Sequence, residues 1–314
     1  MGGQFNVTKG INTPKLASGM TAIKIANDGT ITKLSNKEAN EDNSWYDYID
    51  TTLEPNTSKW ANAQDENGNM FVWIPRYAYS ITSGYHQSGA EINPVTPEEG
   101  VGTIDVKFLK GITNEAADGT ATWDNVSGEG KWNIHPAFDF GGDIAGIWVG
   151  KFVTGYDGAT AAVEAEVETP DNYKAIIKPD VFSWRKINIS NVYNVCKNFG
   201  LQNNIGGDTH LMKNIEWGAM VYLAHSKYGR NGAKITQNNN DQYRTGYGGD
   251  STLEFSTNNT GIANNQWAGQ YGKFASSTGN VYGIYDIVGG TWEFVAAFCN
   301  NGHPHITDNR CQFI

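Results

Sequence analysis

Gly283-Ile-Tyr-Asp-Ile-Val-Gly-Gly-Thr-Trp-Glu-Phe-Val295 is the stretch on which the reading of the fold turns. Gly283, Gly289 and Gly290 permit backbone conformations or close approaches that a Cβ would block. Trp292 is large enough to anchor a core that lacks long helices, and the same scaffold role is expected of Tyr285 and, further upstream, of Trp217. Asp286 and Glu293 add two carboxylates, and Glu293 is placed to meet a backbone donor or a cation.

Working outward, Asn69-Met-Phe-Val-Trp-Ile-Pro75 reads as a strongly apolar strand, with Pro75 marking an edge or a bulge. Arg76 to Ile81 alternates at period two, Thr103 to Leu109 is strand-like, and Gly146-Ile-Trp-Val-Gly-Lys-Phe152 reads as a buried strand. Thr21–Ile25 and Thr30–Leu34 around Asn27-Asp-Gly29 give a hairpin pattern. Two helices are expected. One spans Ser190 to Gly200, with Ser190 as N-cap and Gly200 as the terminating glycine; the other runs from about Asn214 to Lys227 with Trp217, Met220, Val221 and Ala224 on one face. The pattern is an α+β fold, loop-rich, with two helices and short antiparallel strands.

These blocks together resemble the formylglycine-generating-enzyme-like branch of the C-type lectin fold. Residues 283–295 are similar to its G-[LI]-Y-D-[MI]-x-G-[NG]-x-W-E-[WFY]-V signature. Met70–Pro75, Gly146–Thr154, Val181-Phe-Ser-Trp184 and Thr209–Trp217 resemble four further blocks in the same order. Closer still is the resemblance to surface proteins of Firmicutes and phages related to retroelement-diversified variable proteins, through Trp73–Tyr79 and Thr278–Asp286. The resemblance implies a C-type-lectin-like domain over residues 61–314 behind an N-terminal irregular region over 1–60, acting as a stalk or a packing extension. Relatives continue beyond the signature to a terminal strand pair, whereas this sequence stops at Gln312-Phe-Ile314. An unpaired sheet edge is therefore expected near residues 290–314, open to self-assembly or a partner chain.

The oxidase of that branch uses two closely spaced cysteines to bind copper, and here eleven residues separate Cys299 from Cys311; the six histidines are scattered. The reading is not an enzyme. No other cofactor is expected apart from a structural calcium. In relatives an Asn after the second motif glycine helps hold that ion; here the position is Gly290, leaving Asp286 and Glu293 as donors. A small metal site of His303, His305 and Asp308 is the lesser reading beside incidental loop histidines. Relatives carry a pilin-like segment ending near the position of Gly2-Gly3, which implies an extracellular or surface-displayed bacterial or virion protein whose leader or anchor is absent from this chain.

Composition narrows the partners. Lys and Arg number 23 against 33 Asp and Glu, a formal charge of −10, so a phosphate backbone would be repelled and nucleic acid is excluded as a general partner. No stretch approaches a membrane span. Only 18% of residues are charged while 12% are aromatic, with 37 glycines, which disfavours a helical bundle and suits polar, aromatic display loops. The function expected is a non-enzymatic adhesin or receptor-binding protein for a protein or glycan ligand on a cell surface. A pilin-like or tail-associated structural subunit is the alternative, and an oxidase is disfavoured. The candidate contacts are Tyr243, Arg244 and Tyr247 in one loop and Asn300, Asn301, His303, His305, Asp308, Asn309 and Arg310 in the tail. Of the three cysteines, Cys299 and Cys311 bridge in an oxidising compartment or stay reduced, and Cys196 packs as a small hydrophobe.

Overall fold

The computed structural model describes residues 12–83, 103–119, 123–139, 143–161, 164, 174–233, 235, 237–238, 242–247, 266–269 and 272–297. They form an α+β arrangement of three helices and several small antiparallel sheets. The main sheet runs β2-β1-β3-β4-β8, built from β1 (Thr21–Ile25), β2 (Ile31–Lys33), β3 (Asn62–Gln64), β4 (Met70–Pro75) and β8 (Gly146–Gly150). A three-stranded sheet joins β6 (Thr103–Phe108), β5 (Tyr77–Ser83) and β7 (Asn133–Ile134), and β9 (Gly155–Tyr156) pairs with β10 (Ala175–Ile176).

The expected hairpin forms at Asp28-Gly29, where Gly29 takes φ +85° and Ala26 N–H donates to the Thr30 carbonyl at 2.8 Å. β4 is buried along its whole length because both of its faces are covered. Phe71 meets Phe199 on one side, and Val72 and Ile74 join Val149, Met220 and Leu223 on the other. Pro75 therefore ends an inner strand and does not mark an edge. Its missing N–H falls beyond β3, whose pairing with β4 stops at Val72, so no ladder bond is lost.

The N-terminal region is part of the same core. β1 lies inside the main sheet, and Trp45 and Trp60 are buried with Trp73 and Tyr228 in one apolar cluster. Their indole N–H groups donate to Ala39 and Tyr228 carbonyls at 3.0 and 2.8 Å. A boundary at residue 60 would cut this cluster in two. The short helix α1 (Asn36–Glu41) starts at a capping box in which Ser35 Oγ accepts from Glu38 N–H and Glu38 accepts from Ser35 N–H.

Helix α2 (Ile189–Gln202) is capped by Asn188, whose Oδ1 accepts from Asn191 N–H at 2.9 Å, and not by Ser190. Gly200 lies within α2, where a Cβ would sit 2.8 Å from the Ile205 carbonyl oxygen. Helix α3 (Asn214–His225) buries Glu216, Ala219, Met220, Leu223 and Ala224, leaving Trp217 half-buried. Among the described residues two basic side chains are fully enclosed. Arg76 donates to the Phe138 carbonyl and Asn114, both at 2.7 Å, and pairs with Asp139 and Asp143. Lys151 follows β8 directly. Among the described residues no helix is long and apolar enough to cross a membrane.

Candidate ligand-binding surface

The first half of the 283–295 stretch is locked into the interior. Lys151 Nζ donates to the carbonyls of Val281 at 2.8 Å and Gly283 at 2.7 Å. The rings of Tyr285 and Trp267 lie 5.3 and 5.7 Å from the ammonium, so aromatic faces take the place of a carboxylate partner. Burial pushes the Lys151 pKa well down and that of the Tyr285 phenol well up. Gly283 is required sterically, since a Cβ there would lie 2.5 Å from Ser277 Oγ.

Asp286, at φ +63°, is the hinge of the segment. Its Oδ1 accepts from Asn238 Nδ2 at 2.9 Å and its Oδ2 from Gly246 N–H at 2.8 Å. Burial raises its pKa to about 6, against the opposing pull of those two donors. Asn238 in turn donates its backbone N–H to Val288 and accepts from Gly290 N–H at 2.7 Å. Gly289 takes φ +82° with no room for a Cβ, which would lie 2.3 Å from the Asn238 carbonyl oxygen. Gly283 and Gly289 are thus required sterically, and Gly290 has room for a Cβ but takes the left-handed φ of +69°.

Beyond Gly290 the reading reverses. Trp292 is 96% exposed and Phe294 is 50% exposed, so Trp292 anchors no core. Its position in the chain matches the signature, but the described residues place nothing over its ring. Glu293 is exposed as a residue, yet its carboxyl is hemmed by protein. That desolvation and the nearby Asp286 charge push its pKa up to about 7, offset by a hydrogen bond from Trp217. These groups rim a basin of about 700 Å³ whose wall includes Asn214, Trp217, Gln237, Asn238, Tyr243 and Trp292.

The sequence-derived contacts divide sharply. Tyr243 lines the basin in a left-handed conformation, φ +55°, with the Arg185 guanidinium 4.0 Å from its ring centroid. Arg244 and Tyr247 face the other way. Arg244 pairs with Asp180 at 2.7 Å, and Tyr247, 5% exposed, donates its hydroxyl to the same carboxylate at 2.8 Å. Asp180 therefore holds both residues away from the basin, Arg244 at the surface and Tyr247 buried, so that Tyr247 is a packing residue, not a display residue. Asn300, Asn301, His303, His305, Asp308, Asn309 and Arg310, with Cys299 and Cys311, lie outside the described residues. Asn214 and Gln237 are basin residues that the sequence did not single out; a polar residue at a helix start or in an Asn-rich loop carries no signal of facing a cavity.

Of the two carboxylates expected for calcium, Asp286 and Glu293, the charge of the first is felt by the second. Both oxygens of Asp286 already accept hydrogen bonds, and Gly290 offers no side-chain oxygen. Among the described residues no group of three or more His, Cys, Asp or Glu side chains is placed to hold a metal ion.

A second cavity, about 820 Å³ and mainly apolar, runs along β8 between α2 and α3. Cys196 lines it, its thiol pushed up to about 11 by burial, which removes thiolate reactivity near neutral pH. Of the stretch over 290–314 where an unpaired edge is expected, Ala296 is paired, accepting from Asn214 N–H at 2.7 Å and donating to Met212 at 2.9 Å, and residues 298–314 lie outside the described residues. No family model, curated protein or solved structure matches the chain.

Proposed function

We propose that this chain is a non-enzymatic ligand-binding protein on a C-type-lectin-like scaffold, displayed at a bacterial or phage surface and directed at a glycan on another cell. The single observation that carries the reading is Trp292, 96% exposed at the edge of a polar basin. Together with the half-exposed Phe294 it sets an apolar face at the rim of that polar basin, the kind of surface a ligand can cover. An indole face beside the amides of Asn214 and Gln237 and the carboxyl of Glu293 combines flat apolar area with hydrogen-bonding groups of both kinds. A sugar ring presents the complementary combination. Asp286, Asn238 and the two glycines hold the basin's backbone, so the site is built on fixed geometry.

The test is a glycan array followed by calorimetry on the best binder, using the wild-type chain, Trp292→Ala and Asn214→Ala. The expected outcome is a bound glycan family whose affinity falls at least about tenfold with Trp292→Ala. An array without binders, or equal affinity in the Trp292 variant, would refute the glycan reading. Filament formation in its place would favour the structural-subunit alternative.

A further inference from the structure

The start of α3 and the turn before it hold a compact charged cluster. His210 Nε2 lies 3.1 Å from both carboxylate oxygens of Glu216 and 2.8 Å from Lys213 Nζ. Lys213 Nζ also donates to Glu216 Oε1 at 2.9 Å, and Lys213 N–H donates to Oε2 at 2.8 Å. On the other side of the ring Nδ1 sits 2.8 Å from Oδ2 of the exposed Asp208, without the alignment of a hydrogen bond.

One ring nitrogen therefore has two neighbours with opposite demands. An ammonium has only protons to offer, so Lys213 bonds Nε2 only when that nitrogen carries none. A carboxylate has only lone pairs, so Glu216 bonds Nε2 only when it is protonated. The shorter contact is the one to Lys213, which is the arrangement of a neutral ring whose proton sits on Nδ1.

We propose that His210 is a proton switch beside the basin: one added proton moves Nε2 from Lys213 to Glu216 and expels the Lys213 ammonium from the cluster, loosening the backbone pairing that holds the Trp292 segment.

The place of Lys213 in the fold gives the switch its reach. Lys213 forms a parallel bridge with Ala296, made by Asn214 N–H donating to the Ala296 carbonyl at 2.7 Å and Ala296 N–H donating to the Met212 carbonyl at 2.9 Å. Asn214 and Trp217 on one side of that bridge, and Trp292 and Glu293 on the other, line the basin. A change of partner for the Lys213 side chain thus acts on the residue that ties the two walls together. The charges that bear on the ring are Glu216 first, then Lys213 and Asp208, and Glu216 raises the His210 pKa above its ordinary 6.5. Arg185 and Lys186 before α2 and Cys196 on α2 border the same cavity as His210. Of these, Arg185 is held over the Tyr243 ring, and burial keeps Cys196 a thiol. On the neighbouring segment Glu293 responds to Asp286 and Trp217. This inference concerns the basin's wall and holds whatever the basin binds.

The test uses the full chain without ligand. Ring nitrogen and carbon resonances of His210 are followed by NMR from about pH 5 to about pH 9, with amide protection factors for Asn214 and Ala296 corrected for intrinsic exchange. The neutral ring is expected to carry its proton on Nδ1, the less common tautomer of a free histidine, and to titrate above 6.5. Ala296 protection falls about threefold or more as pH drops through that midpoint. In His210→Gln it stays level. Lys213→Met raises the midpoint, and Glu216→Gln, which keeps an oxygen for the Lys213 N–H, lowers it. The proposal is overturned if the neutral ring carries its proton on Nε2, or if Lys213→Met leaves the midpoint unchanged. It is equally overturned if Ala296 protection ignores the midpoint or follows the same profile in His210→Gln. All of these readouts are independent of glycan binding, so failure on the array leaves them standing.

Discussion

Two halves of one contiguous stretch behave as opposites. Gly283 to Asp286 is buried, with Tyr285 packed against Phe152 and Trp267 and both carboxylate oxygens of Asp286 in use. Val288 to Phe294, beginning two residues later, is largely open, with Trp292 in water. Both halves carry the same kinds of residue. The difference lies in what the rest of the chain brings to them. Lys151, Trp267 and Asn238 converge on the first half from three distant segments, whereas the second is held by Asn238 only as far as Gly290, and beyond it Trp292 and Phe294 border the basin or its neighbouring cavity. An aromatic residue is an anchor only where other residues surround it.

The largest expected effect breaks the buried half. Tyr285→Ala removes a ring enclosed by two others and a hydroxyl that donates to the Trp267 carbonyl at 2.9 Å. A loss of about 3–5 kcal/mol in urea denaturation is expected. A loss under about 1 kcal/mol would show that the buried half is no more of an anchor than the exposed one. Lys151→Ala follows, at about 3 kcal/mol, because it empties the ammonium site and strands the Val281 and Gly283 carbonyls. Lys151→Met keeps the apolar stem and its contact with the rings, so it recovers at least about 1 kcal/mol of that loss. Equal destabilisation by the two variants would place the whole effect in the hydrogen bonds.

The junction between the halves has its own signature in pH. Asp286 holds its proton to about pH 6 in the folded chain, against an ordinary value of 3.8. A carboxyl raised in this way stabilises the native state fully below its unfolded pKa, and the contribution fades as pH climbs through the folded value. About 3 kcal/mol is therefore lost between pH 4 and pH 7.5 through this group. Stability measured for the wild type against Asp286→Asn across that range isolates it from the other titrating groups. Parallel pH profiles would show that the Asp286 carboxyl titrates as it does in water.

How much was legible follows the same division. The hairpin at Asp28-Gly29, β4, β8 and the two longer helices were readable because their signals are local: turn residues, apolar runs and helical spacing. The Ser35-x-x-Glu38 box of α1 was equally local and went unread. The interior positions of Arg76 and Lys151 had no such signal. Each is enclosed by groups far away in sequence, Phe138 and Asp143 in one case, Val281 and Gly283 in the other. Tyr247 failed for the same reason, since Asp180 sets its direction. Trp292 was the converse error: its motif context marked it as an anchor, and only the absence of covering atoms among the described residues shows that it is not.

The smallest expected effect is the sharpest test of the comparison. Trp292→Ala removes the largest side-chain type from the stretch, and by area alone a buried tryptophan would cost about 3–5 kcal/mol. Because 96% of Trp292 is exposed, folding withdraws almost none of it from water. Its truncation is expected to change stability by less than about 0.5 kcal/mol, in line with surface substitutions. The same variant loses glycan affinity. A residue that matters to binding and not to folding has that pair of responses, and Tyr285 has the reverse. If Trp292→Ala instead destabilises the chain by several kcal/mol, the exposed half is covered in solution, and the contrast between the two halves disappears.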